Sequence, residues 1–156
     1  MIFSDIAGLR LINQQIAGTG FGTVKEIVTW MGAMQAQDYA MVKWAIGVRL
    51  PDSTEKVIET AIDNGEIIRT HLLRPTWHFV SADDIYWMLA LTAPQIKASM
   101  KSRHQELGLS ETVVTQSNDL IEKALGEAKS LTRKELIVLL KNAGIATDAN
   151  RMSHLL

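Results

Sequence analysis

Between Glu66 and Val80 the helical rhythm of the sequence stops, and that break constrains the fold more than any other feature. Two stretches, Glu66 to Leu73 and Thr76 to Val80, are rich in Ile, Thr, Trp and Phe. Only Arg74 and Pro75 lie between them, which is the pattern of a β-hairpin. Upstream, every run with helical spacing is short. Ser4 is placed to cap a helix over Asp5 to Ile16, with Ile6, Leu9, Ile12 and Ile16 along one stripe and Gly18, Gly20 and Gly22 breaking it. Thr23 with Glu26 forms a capping box ahead of Val24, Ile27, Val28 and Met31. Asp38 caps a further run from Tyr39 to Leu50 that ends at Pro51, and Asp52 with Glu55 starts the next, which Asn64 and Gly65 stop. Three short helices followed by a hairpin is the order of a winged helix, a helix-turn-helix carrying a β wing.

The second half is helical throughout. Ser81 with Asp84 opens an apolar, aromatic helix through Ile85, Trp87, Met88 and Leu91, and Pro94 stands where a first-turn proline starts another running to Leu107. Ser110 begins a helix to about Leu125. Thr132 and Glu135 make a second capping box before Leu136, Ile137, Leu139 and Leu140, Gly144 ends that run, and Asp148 caps a final one. The fold class is therefore mainly α with a small β-hairpin. A winged helix fills residues 1–91, and a helical region over 92–156 looks like a second, truncated one. Without strands of their own, Leu136, Ile137, Leu140, Met152, Leu155 and Leu156 need another surface. The helices between Ser81 and Leu125 can supply it, or a second copy can; the expectation favours a homodimer through residues beyond Ser110.

Composition excludes more than it assigns. With 47% hydrophobic residues in 156 the chain buries a real core, and 16 basic against 17 acidic residues give no global pull toward a polyanion. The absence of cysteine removes disulfides and thiolate chemistry and fits a reducing compartment, so the localisation expected is cytoplasmic. The first residues have no basic and apolar leader pattern, and no apolar run spans a bilayer. No P-loop, dinucleotide fingerprint, His-Glu-x-x-His or Gly-x-Ser-x-Gly occurs. His71, His78, His104 and His154 are too scattered to form a metal site, and no cofactor is expected.

The segment Met34-Gln35-Ala36-Gln37-Asp38-Tyr39 falls between two predicted helices. On a helix, residues two apart point about 200° apart, so Gln35 and Gln37 act together only in a bend or extended joint. Two adjacent carboxamides offer donors and acceptors enough to hold a water or a nucleobase edge, but neither takes a proton as a carboxylate does. Asp38 is the neighbouring candidate base. The plainer reading is that Asp38 only caps the next helix and the glutamines are solvated. For Trp77 and Trp87 the plain reading is core packing.

Further stretches accompany this one: Arg10-Leu11 with Gln14, Ala45-Ile46 with Arg49, Ile68-Arg69-Thr70, Leu73-Arg74-Pro75-Thr76-Trp77-His78 and Ser81-Ala82-Asp83-Asp84. In this order and spacing, over most of residues 10–91, the sequence resembles the winged-helix DNA glycosylases, a family that includes bacterial enzymes unhooking interstrand crosslinks. The resemblance places the family's catalytic pattern, glutamine, an aliphatic residue, then glutamine or aspartate, on Gln35, Ala36 and Gln37. It implies hydrolysis of the bond between an alkylated purine and its deoxyribose. By the same analogy Gln35 and Gln37 hold the water, Asp38 helps electrostatically, and double-stranded DNA is the partner. Relatives commonly carry glycine where Pro75 stands.

For DNA contact, the helix at the recognition position, about Thr54 to Asn64, sets Glu55, Glu59 and Asp63 against Lys56 alone and would be repelled by phosphates. From Ile67 to His104 the balance reverses, so Arg69, Arg74, Lys97, Lys101 and Arg103 are the candidate DNA-binding residues. Two alternatives stand beside the enzyme: a non-catalytic winged-helix module binding DNA or protein, and a truncated, inactive relative.

Overall fold

A computed structural model describes residues 3–73, 76–128, 130–148 and 150–156, with side chains from residue 5 onward. It divides into two compact units, residues 1–96 and 97–156. The first contains α1 (Phe3–Asn13), α2 (Val24–Met31), β1 (Ala33–Gln35), α3 (Tyr39–Gly47), α4 (Glu55–Asp63), β2 (Ile67–Leu72) and β3 (Thr76–Ser81). From α2 onward the order helix, strand, helix, helix, strand, strand is that of a winged helix. The hairpin lies where the sequence puts it, but it belongs to a three-stranded antiparallel sheet of order β1-β3-β2. The added strand, β1, has no strand pattern of its own in the sequence. Its register sets Met34 opposite Phe79 and Gln35 opposite His78, while Arg69 of β2 faces Phe79 from the other side.

The pleat sorts these residues onto two faces. On one, Met34, Ala36, Ile67 and Phe79 join Val24, Ile27, Val28, Val42, Ile46 and Ile58 from α2, α3 and α4 in the main core. On the other, Leu72 and Val80 pack with Ile85 and Met88 of α5 (Ile85–Glu106). The capping box at Thr23 and Glu26 and the Asp38 cap form as expected.

Several boundaries differ from expectation for physical reasons. α1 starts at Phe3, ahead of Ser4, and ends at Asn13, well before Gly18. Gln15 takes a left-handed conformation (φ 56°) and the Ile16 amide donates back to the Leu11 carbonyl, as in a Schellman ending. The stripe of Ile6, Leu9, Ile12 and Ile16 is exposed in this structure. α4 is capped by Thr54, whose hydroxyl accepts from the Val57 amide, because the Glu55 carboxylate turns instead to Lys43. α3 stops at Gly47, and Arg49 beyond it is buried, donating to the Gln14 carbonyl, the Gln14 side-chain oxygen and the Ala45 carbonyl. Pro94 does not start a helix; it lies inside the 22-residue α5, where it forgoes one backbone donor without ending the helix. Trp87 is not core: it is 54% exposed, with its indole N–H on Asp84.

The second unit holds the end of α5, then α6 (Glu111–Glu127), α7 (Arg133–Asn142) and α8 (Arg151–Leu155). Ser110 caps α6, and Thr132 with Glu135 form the capping box of α7. Asp148 does not cap α8; its carboxylate pairs with the Arg151 guanidinium at 2.8 Å. Leu136, Leu140, Met152 and Leu155 close on Leu107, Leu109 and Ile145, with Ile137, Val113, Val114 and Ile121 against them. Cover for the apolar face therefore comes largely from within the chain, although Leu156 and Val138 stay about half exposed. Among the described residues no helix is long and apolar enough to cross a membrane.

Candidate active site

Gln35 ends β1, Ala36 and Gln37 form the bend after it, and Asp38 caps α3, so the two glutamines do sit in an extended joint between helices. Met34 and Ala36 are buried while Gln35 and Gln37 are exposed, the alternation of a half-buried strand. Ala36, fully buried, is the anchor. Its amide donates to the Trp77 carbonyl at 2.8 Å, extending the β1–β3 ladder by one residue, and its carbonyl accepts from Arg69 Nε at 3.1 Å and Nη2 at 2.9 Å. Gln37 contributes twice: its side-chain oxygen accepts from the Trp77 amide and its backbone carbonyl from Arg69 Nη2, both at 3.4 Å.

Around this bend lies an aromatic and cationic cluster. The Arg69 guanidinium sits 4.5 Å from the Trp77 ring centroid and 5.5 Å from that of Tyr39, and Tyr39 meets Phe79 edge-on. His71 stacks on Trp77 with centroids 3.9 Å apart. Burial, then the nearby Arg69 and His78, hold the His71 imidazolium below the usual histidine range. His78, cross-strand neighbour of Gln35, is buried with Nδ1 2.8 Å from the Thr76 carbonyl. Trp77 thus combines packing on the core with a polar edge that fixes the loop.

Asp38 accepts the amides of Ala40 and Met41, each at 3.0 Å and both on Oδ1. The cap fixes the position of that carboxylate at the start of α3, next to the joint. Below α3, buried Lys43 pairs with Glu55 and with Glu59 at 2.9 Å. The hydrogen bonds it donates to those two carboxylates raise its pKa well above the usual lysine value. That pairing offsets part of the acidity of α4, which the sequence alone left unbalanced.

The candidate phosphate contacts are divided between the two units. Arg69 is turned onto the bend in the first unit. Lys97, Lys101 and Arg103 lie exposed on α5 in the second, with Lys97 and Lys101 one helical turn apart and Arg103 paired to Glu106 at 2.8 Å. Arg74, and with it Pro75, lies outside the described residues. Among the described residues no three histidine, aspartate or glutamate side chains come together as metal ligands.

Comparison with known proteins gives two findings. The family model described as DNA glycosylase AlkZ-like matches residues 10–156. Among solved structures the fold matches Streptomyces sahachiroi DNA glycosylase AlkZ with a TM-score of 0.65 at 20% identity, over 84% of this chain and 35% of that one. This chain thus spans about a third of that protein's length. No curated protein sequence matches.

Proposed function

The chain belongs to the AlkZ-like family of DNA glycosylases, and from that premise we propose that it hydrolyses the N-glycosidic bond of an alkylated purine in duplex DNA. Gln35 and Gln37 hold the attacking water. The observation that carries this reading is the pair of exposed carboxamides flanking a buried residue tied down at both its amide and its carbonyl.

Alkylation at N7 makes the base a good leaving group, so the bond to C1′ breaks with its electron pair going to the base. The sugar becomes oxocarbenium-like. Water then bonds to C1′, its surplus proton passes to solvent, and an abasic site remains. No strong base is needed; oriented dipoles that position the water and stabilise the cation suffice. Asp38, positioned beside the joint as the cap of α3, assists electrostatically. Duplex DNA is held through Lys97, Lys101 and Arg103, with Arg69 adding positive charge at the joint. A homodimer is not part of this reading, because most of the side chains that called for one are covered within the chain.

The test is base release from a duplex carrying N7-alkylguanine, read as strand cleavage at the abasic site under alkali. Gln35→Ala and Gln37→Ala are each expected to lower the rate on the order of a hundredfold. No release by the unaltered chain, or undiminished release by both variants, would refute the assignment and favour a non-catalytic binding module.

A further inference from the structure

Resting on the reading of Gln35 and Gln37 above, the geometry points to Arg69 as the positioning residue that sets those two carboxamides, rather than as a contact to DNA. β1 and β2 flank β3 on opposite sides, so their backbones are separated by two strand spacings, roughly 10 Å. Arg69 spans that gap and places Nε and Nη2 on the one carbonyl of Ala36, with Nη2 also toward the carbonyl of Gln37. The guanidinium is itself fixed by the rings of Trp77 and Tyr39. Its two short contacts fall on the Ala36 carbonyl, in the peptide group between Gln35 and Gln37.

The arrangement matters because β1 is only three residues long and ends at Gln35. Past that point one ladder bond, Ala36 amide to Trp77 carbonyl, ties the bend to the sheet, and the long contact from the Trp77 amide to the Gln37 oxygen adds little. Arg69 supplies the restraint on the Ala36 carbonyl that the ladder bond supplies on its amide, between the strand end and the Asp38 cap. Two neutral amides acting on a water depend wholly on placement, since they have no proton affinity to offset a poor angle. Lysine cannot substitute. A single ammonium lacks the planar fork that donates through two nitrogens to one carbonyl while stacking on two rings.

The experiment uses the full chain with Arg69→Lys and Arg69→Ala beside Gln35→Ala and Gln37→Ala. It reads kcat and KM for base release from the N7-alkylguanine duplex, and amide exchange at Ala36. Both Arg69 variants are expected to lose on the order of tenfold to a hundredfold in kcat with KM within about twofold, to exchange faster at Ala36, and to melt cooperatively. Guanidinium ion, far below denaturing concentration, should restore part of the Arg69→Ala rate where sodium chloride of equal ionic strength does not. An Arg69→Lys protein with undiminished kcat overturns the positioning role while leaving the glutamine assignment intact. So does a loss confined to KM, which would make Arg69 a DNA contact. Should the glutamine variants keep full activity, or the unaltered chain release no base, the site assignment fails and the role of Arg69 falls with it.

Discussion

Replacing Arg49 by methionine should release α1 from the rest of the first unit before it unfolds anything else. Arg49 is 8% exposed and donates three hydrogen bonds: two to the carbonyl and side-chain oxygen of Gln14, just past α1, and one to Ala45 in α3. Few apolar contacts compete, because Ile6, Leu9, Leu11 and Ile12 are between 37% and 51% exposed. Methionine keeps the aliphatic stem and removes every donor. The two bonds to Gln14 contribute about 1 kcal/mol each, so the free energy of detaching α1 should fall by about 2 kcal/mol, roughly a thirtyfold rise in its open population. The third bond serves a half-buried carbonyl inside α3, and its loss costs about 1 kcal/mol of global stability. For a unit of this size that is about 4 to 8 °C in Tm. Amide exchange resolved by residue separates the two effects: α1 amides should exchange about thirtyfold faster while those of β3 quicken only as far as the change in global stability requires. Equal acceleration across the unit, or protected α1 amides in the variant, would show that something other than Arg49 holds that helix.

Two other perturbations address the second unit. Lys97→Ala combined with Lys101→Ala should weaken duplex DNA binding and reduce the slope of log affinity against log salt by about 1.8, because two phosphates are no longer neutralised; a filter-binding titration across salt with an unchanged slope would remove that surface. For His154, burial first and then His104 and Arg103 lower the pKa below 6.5, so the unfolded chain binds the proton more readily than the folded one. Stability should therefore fall as pH drops through about 6.5 toward the lower folded value and be recovered above it, and His154→Gln should flatten that dependence in thermal melts.

The sequence carried the order of elements well because the order depends on local signals. Thr23 with Glu26, Asp38, Ser110, and Thr132 with Glu135 all cap the helices they announce, since a cap needs only residues three or four apart. What it did not carry was pairing at a distance. β1 is too short for a strand signal of its own and exists because β3 offers it an edge. Arg69 looked like a phosphate contact because nothing in Ile68-Arg69-Thr70 tells of a carbonyl 33 residues upstream. The Asp52–Glu55 cap failed for the same reason: Glu55 has a better partner in Lys43, twelve residues away along the chain and adjacent in space. Pro94 misled differently. A proline inside a helix forgoes one donor, and α5 continues through Pro94 despite that loss.

The site joins three kinds of structure, and each supplies something the others lack. A strand end alternates its side chains, so Gln35 and Gln37 can share a side that a helix would deny them. The start of α3 brings the Asp38 carboxylate beside the joint, with one of its oxygens held by the Ala40 and Met41 amides that it caps. The sheet brings rigidity through Trp77, which gives its carbonyl to Ala36 while its ring packs on the core and against Arg69. A reaction whose leaving group is already activated asks little of acid or base strength and much of geometry. Carboxamides become sufficient under that condition only if the backbone between them does not move, and here the residue between them is bonded at both its amide and its carbonyl.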